Sequence, residues 1–409
     1  MANAEHLSLI KQGVAVWNQW YKNHSKVVPD LSQANLSQLN LQGIYLERAN
    51  LTQANLSNTD LREAKLNHAN LCRASLLKAD LSNANLEKAN LDYVIFARAT
   101  INRQTIIDRK NLRIYEIVNR LVKDKDFAGF DLSNSNLFRA DLNNADLNNA
   151  KLNYANLSNT DLSNAYLYKA DLTGANLQNA KLTNAYFSQA NLTQAYLSGA
   201  LCHGTYFKDA QLSLVNFKGA EFSLKTIIDT KWYSVWEIVN NNAVKKNLSG
   251  TDLSHANLQG VDFQEANLAG ANLNHTILRR SNLAGANLTN TNLIGANICG
   301  ADLSRANLKK AKLKSLVSDR DTQLPTLDTD KTKFISQPKP TKIQKAVPQS
   351  TVEIPASHRR SNKNIWLVLF LAVAAIFIAG TIFIRNSGWS WQENVPPWKQ
   401  KLERSIQTN

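Results

Sequence analysis

The chain has 409 residues, 44% of them hydrophobic, a formal charge of +15, three cysteines and seven histidines. That length allows two or three domains, and three cysteines are too few for a disulfide framework. None of His6, His24, His68, His203, His255, His275 and His358 has zinc-type Cys/His spacing, and no Gly-rich phosphate loop or Ser/His/Asp arrangement stands out, so no catalytic, cofactor-binding or metal residue is assigned.

Residues 1–29 carry Ile10, Val14, Trp17 and Tyr21 on one helical face, which predicts an amphipathic capping helix leading through Pro29 into the next segment. The polar residues between them argue against a signal peptide. From Leu31 to Ile101 a leucine, or a Phe, Ile or Cys in its place, falls every fifth residue. The same period runs from Leu132 to Ile227 and from Leu253 to Leu313. Most of these leucines sit in triplets such as Ala34-Asn35-Leu36, Ala140-Asp141-Leu142 and Ala271-Asn272-Leu273. On a helix, five residues turn the chain by about 500°, which scatters the leucines around the circumference. On a continuous strand, an odd period alternates them between faces. Both Ala and Leu reach one interior only if each repeat is a short extended side followed by a turn, coiled into a solenoid. Asn or Asp before the Leu suits the turn and bonds to nearby backbone. The two variable polar positions after the Leu face solvent.

The pattern Ala-(Asp/Asn)-Leu-x-x resembles the pentapeptide-repeat family over more than half of the chain. The resemblance implies an all-β solenoid, a right-handed quadrilateral β-helix with four repeats per coil. Coils would stack at the inter-strand spacing of about 4.8 Å, and a dozen coaxial coils would make a rod on the order of 50–60 Å long.

Three blocks are expected, at 30–101, 127–225 and 248–316, separated by helical inserts at 102–126 and 226–247. The inserts match each other at a constant offset: Thr105-Ile106-Ile107-Asp108 with Thr226-Ile227-Ile228-Asp229, and Glu116-Ile117-Val118-Asn119 with Glu237-Ile238-Val239-Asn240. Each insert shifts the five-residue phase by one. Ile114, Ile117, Val118 and Leu121 form one apolar stripe; Trp232, Val235, Ile238 and Val239 form the other. Each block opens with Asp-Leu-Ser, so each helix is expected to cap the start of its block; the alternative is a bulge from a continuous rod.

Residues 317–362, with Pro325, Pro338, Pro340, Pro348 and Pro355, read as a disordered tether. A transmembrane helix is expected at 363–385, where the stretch from Ile365 to Ile384 carries no charge and is long enough to cross the hydrocarbon core, with Trp366, Trp389 and Trp391 near its ends. The lipid bilayer is therefore an expected partner through 365–384. Arg359, Arg360 and Lys363 precede the span and Arg385 follows it, which places the repeats in the cytoplasm and the 386–409 tail outside, on a plasma or thylakoid membrane.

Blocks one and two each carry seven acidic and seven basic residues, whereas block three carries an excess of three positive charges, with Lys309, Lys310, Lys312 and Lys314 at its end. The basic excess near the span fits anionic lipid better than nucleic acid. Tyr166, Tyr186 and Tyr206 replace Asn/Asp at intervals of four repeats, predicting an interaction ladder on one face, with Tyr196 opposite and Phe187 and Phe207 stacked inside. His255 and His275 should also stack. Cys202 should pack beside Phe222 and be unreactive. The expected function is a non-enzymatic, membrane-anchored, single-pass scaffold for an unknown protein partner. The alternatives are a regulatory or assembly factor of a membrane complex and, by family resemblance, a DNA-mimicking protector of type II topoisomerases. The neutral and basic blocks oppose the latter.

Overall fold

The computed structural model describes residues 1–325. Those residues build a right-handed quadrilateral β-helix, in which equivalent positions four repeats apart pair as parallel bridges, such as Asn35 with Asn55 and Asn156 with Asn176. Four repeats therefore complete one coil. Most sides are single-residue bridges. Among the described residues, named strands occur only where β1 (Leu201–Cys202) pairs in parallel with β2 (Glu221–Phe222), Cys202 opposite Phe222.

Each repeat has one local geometry. The central carbonyl accepts from the amide three residues on, as Leu31 O does from Ala34 N at 3.1 Å. The second outward residue has positive φ in every repeat from Gln33 to Arg98, from Gly129 to Gly219 and from Lys245 to Ser315. One positive φ at the third place of a four-residue turn is the type II pattern. Ordinary L-residues resist this conformation by roughly 1–2 kcal/mol, yet Arg48, Lys78 and Tyr154 adopt it. The amide at that position donates to the next coil, as Gln33 N does to Thr52 O at 2.8 Å, which holds it there. The Asn or Asp before the leucine is thus not the left-handed residue of the turn. Its side-chain oxygen accepts from the amide two residues on (Asp30 Oδ1 from Ser32 N, 3.0 Å), and at several rungs an Asn amide also bonds the equivalent residue one coil away (Asn50 Nδ2 to Asp30 Oδ1, 3.0 Å).

The interior is a column of Leu and Ala with almost no exposure. Thr59, Thr160 and Thr205 occupy Ala positions, and each buried hydroxyl donates to a backbone carbonyl of the preceding coil, at 2.7–2.9 Å. Bonding there removes the cost of a buried unpaired hydroxyl.

The N-terminal segment is two helices rather than one, α1 (Ala4–Lys11) and α2 (Val14–Asn23). Gly13 separates them at φ 112°, where a side chain would be strained. The break turns the expected single stripe: Ile10 and Trp17 are buried, while Val14 and Tyr21 are half-buried. Trp17 Nε1 donates to Tyr45 O at 2.6 Å, Asn18 bonds Gly43 O and Tyr45 N, and Tyr21 Oη donates to Glu47 O. These helices lie on the first coil.

Helix α3 (Arg109–Val118) and α4 (Thr230–Asn241) occupy the inserts. Asp108 Oδ1 caps α3 by accepting from Asn111 N. Ile114, Tyr115 and Ile117 are buried beneath α3, and Trp232, Val235 and Ile238 beneath α4. Leu121 lies past the end of α3 and is 57% exposed, so it does not belong to the stripe. An asparagine follows the core of each helix and supplies what a further coil would. Asn119 accepts from Arg98 N at 2.6 Å and donates to Phe96 O at 3.1 Å. Asn240 does the same for Gly219 N and Phe217 O. A lysine at the other end of each helix reaches the following block: Lys110 contacts Asp131 and Ser133, and Lys231 contacts Asp252 and Ser254. These lysines account for the Asp and Ser of Asp131-Leu132-Ser133 and Asp252-Leu253-Ser254, although the coils of blocks two and three begin earlier than expected, at rungs Asp126 and Asn247.

The helices therefore touch the end of one block and the start of the next. Consecutive blocks also join directly, through Tyr93 N to Asn134 O at 2.8 Å and Leu214 N to His255 O at 2.7 Å. Capping and continuity coexist at each junction.

The one-residue phase shift has a local cause. Asn85 pairs with Ile106 and Tyr206 with Ile227, so each of these coils is one residue longer than its neighbours. The extra residue is absorbed in a wide turn tied by a threonine. Thr105 Oγ1 lies 3.1 Å from Asn102 N and 2.9 Å from Leu81 O, and Thr226 Oγ1 lies 3.0 Å from Ser223 N and 2.7 Å from Cys202 O. At the far end, Val317 pairs with Asn297 and Gln323 with Asp302, so the coil continues beyond residue 316, where the tether was expected to begin. The remainder of the expected tether, the 363–385 span and the 386–409 tail lie outside the described residues. Among the described residues no helix is long and apolar enough to cross a membrane.

Candidate interaction face

Because the repeat commits Leu and Ala to the interior and the second outward residue to the turn, side chains that distinguish one face from another lie before the central residue and just after it. On one face of block two the positions before the central residue read Asp126, Asp146, Tyr166, Tyr186, Tyr206 and Ile227, joined by successive parallel bridges. The two lower rungs are acidic; the four upper rungs are aromatic or aliphatic.

Tyr186 and Tyr206 stack with centroids 4.7 Å apart at 19°. Tyr166 joins them through its backbone bridge to Tyr186 and is 37% exposed. Beneath the ladder Phe187 and Phe207 stack at 5.2 Å inside the coil, both fully buried. Tyr196, two repeats from Tyr186 and hence two sides around the coil, is 42% exposed on the opposite face. The five-residue period placed Ile227 at a central, interior position; it is instead 48% exposed and extends the stripe, because the coil after Tyr206 is one residue longer and Ile228 packs against the core in its place. Leu224, fully exposed at the wide-turn tip, was also missed. The sequence signal for the outward placement of either is the phase shift itself.

Cys202 is fully buried, and desolvation with nearby Glu221 pushes its thiol far above the usual range. Thiolate chemistry is therefore closed to it. His255 and His275 stack at 5.3 Å. Partial burial, then the facing His275 ring and Lys231, hold His255 below the usual histidine value of 6.5, opposed by Asp252. His255 should therefore titrate below 6.5 by NMR. Any stability it contributes is complete above that value and lost as pH falls below it. Among the described residues, no group of three or more His, Cys, Asp and Glu side chains could hold a metal ion.

The model of the family described as Pentapeptide repeats matches in eight copies, within residues 30–103, 126–223 and 247–315. The chain belongs to this family. HetL, a pentapeptide repeat protein involved in heterocyst differentiation regulation from the cyanobacterium Nostoc sp. strain PCC 7120, is 26% identical, with 69% of this chain and 90% of that one covered and a TM-score of 0.15. Rfr23 from the cyanobacterium Cyanothece 51142 is 38% identical over 26% of this chain and 67% of its own, with a TM-score of 0.15. A pentapeptide repeat protein from the thylakoid lumen of Arabidopsis thaliana is 29% identical over 27% of this chain and 74% of its own, with a TM-score of 0.19. No curated protein matches the chain.

Proposed function

We propose that this pentapeptide-repeat protein is a non-enzymatic scaffold, anchored in a membrane through 365–384, whose rod presents the Tyr166–Tyr186–Tyr206–Ile227 stripe to a protein partner. The observation that carries the reading is this stripe. Elsewhere in the repeats the position before the leucine is mostly Asn or Asp, serving the ladder. Here it becomes a run of large side chains, half-buried to about half exposed. Tyrosine supplies contact area with a polar tip and little entropy to lose, which suits an interface. The insert helices serve as caps, keeping the ends of each block from pairing with other chains. The charge pattern supports a location of the rod on the cytoplasmic side, with Lys309, Lys310, Lys312 and Lys314 near anionic headgroups. It gives no support to DNA mimicry, since blocks one and two are neutral.

Changing Tyr166, Tyr186 and Tyr206 together to Asn restores the residue used at many equivalent rungs, so the fold should persist. Capture of the partner from solubilised membranes should fall at least tenfold, as roughly 1.4 kcal/mol of lost interface energy implies. Undiminished capture would remove the stripe from the interface. The anchor has a separate test. The full chain should stay in the membrane after alkaline carbonate washing, and a chain ending at residue 325 should not. Release of the full chain by the wash overturns the anchor.

A further inference from the structure

The tyrosine stripe presents side chains to a partner and no open backbone. The amides of Tyr166, Tyr186, Tyr206 and Ile227 donate to Ala145 O, Ala165 O, Ala185 O and Thr205 O, each at 2.9 Å. Their carbonyls accept from Leu147 N, Leu167 N, Phe187 N and Phe207 N at 2.7–2.8 Å. All of these groups are engaged between coils. A strand added to a sheet is held by main-chain hydrogen bonds along a free edge, and this face has no such edge.

The rung spacing selects among the remaining partners. The Tyr186 and Tyr206 rings lie 4.7 Å apart. Five bridges lead from Asp126 to Ile227, a rise of about 24 Å at ~4.8 Å per rung. A helix laid along the rod presents one side chain per turn of about 5.4 Å, so it drifts from the rungs by about 2 Å between Tyr166 and Ile227. An extended segment laid the same way presents same-face side chains about 6.7 Å apart and drifts by about 6 Å. A helix keeps its side chains on the rungs; an extended segment loses them.

Charge adds a third constraint. The rung next to Tyr166 is Asp146. None of the ion pairs among the described residues uses Asp126 or Asp146. Asp131, Asp141 and Asp252, on other faces, are held by Lys110, Lys125 and Lys231. Asp126 shares a cleft with Arg109 and Arg113, whereas Asp146 does not line it. Asp146 thus sets a half-buried carboxylate without a basic partner among the described residues directly beside the aromatic rungs.

We propose that the partner docks an amphipathic helix along this face. One apolar side chain per turn sits on Tyr166, Tyr186, Tyr206 and Ile227, and a lysine or arginine one turn beyond Tyr166 meets Asp146. About 16 residues of helix cover the whole column. The inference rests on the reading of the stripe as the interface, and adds the chemistry of what binds there.

Photocross-linking in the full-length protein, in its own cells, tests it. Tyr166, Tyr186 and Tyr206 are replaced one at a time by p-benzoylphenylalanine, and the cross-linked sites are read by mass spectrometry. They should fall in one segment of one partner and advance by three or four residues per rung, the neighbour spacing of a helix face. That segment should carry Lys or Arg one turn beyond the Tyr166 site. Asp146→Lys should lower the yield from position 186 by about tenfold, because it opposes like charges. Lysine already occupies rungs of the same block at Lys151 and Lys181, so the coil tolerates it. Sites that advance by two residues or scatter over separate segments overturn the helix and leave the stripe as the interface. So does an acidic residue in place of the basic one, or a yield that Asp146→Lys leaves unchanged. Cross-links to the rod of a second copy of this chain also overturn it. No cross-link from any of the three positions overturns the helix and the interface together.

Discussion

Leu172→Ala should lower the unfolding free energy by roughly 2–5 kcal/mol, among the larger effects available to a single substitution in this chain. Leu172 is fully buried, and so are Leu152 and Leu192 in the coils on either side. The loss combines the transfer energy of the removed carbons with the cavity they leave, and a narrow interior of Leu and Ala has little freedom to collapse. A solenoid has only nearest-neighbour interfaces, so a weakened coil in the middle of block two also uncouples the coils on either side. Urea unfolding followed by circular dichroism should show a lower midpoint and a broader or divided transition. Leu224→Ala, at a fully exposed leucine, is the matched control and should fall within about 0.5 kcal/mol of the wild type. A Leu172→Ala midpoint indistinguishable from that of Leu224→Ala would refute a close-packed column.

Trp17→Ala should cost about 3–5 kcal/mol, and its effect should be concentrated at the N-terminal end of the rod. Trp17 is fully buried, and its indole Nε1 donates to Tyr45 O at 2.6 Å. Its ring packs at 5.1 Å from Trp20, with His6 at 6.2 Å. Truncation removes the largest fully buried side chain of the cap and strips the carbonyl of Tyr45 of its donor. Asn18 and Tyr21 remain as the bonds holding α2 to the coil. Hydrogen exchange should accelerate across the first two coils of block one and leave block three unaffected. Uniform acceleration along all three blocks would mean that the array unfolds as one unit and that α2 is not a local cap.

Much of the coil was legible in the amino-acid order. Leu31, Leu36 and Leu41 with Ala34 and Ala49 required one interior, and the pairing of Asn35 with Asn55 is the direct consequence. The ladder of Tyr166, Tyr186 and Tyr206 and the stacked pair His255 and His275 followed from the same four-repeat coil. What stayed illegible shares one physical origin. Gln33, Arg48 and Lys78 hold the left-handed turn because their amides bond the next coil, a partner that no local propensity records. Gly13 breaks the N-terminal helix because α1 and α2 must follow the shape of the coil end beneath them.

The sequence by itself determined that this protein is a five-residue solenoid in three blocks, since apolar side chains recurring at that interval can share an interior in no regular helix or strand. Only the tertiary structure decided how one block passes into the next and which faces are distinctive. The wide turns at Thr105, Thr226 and Thr322 are built from a threonine hydroxyl placed between its own turn and a carbonyl of the coil before it. That placement brings Ile227 onto the tyrosine stripe and carries the coil on to Gln323. Such bonds depend on which coil lies underneath, and a single turn of sequence contains only half of each of them.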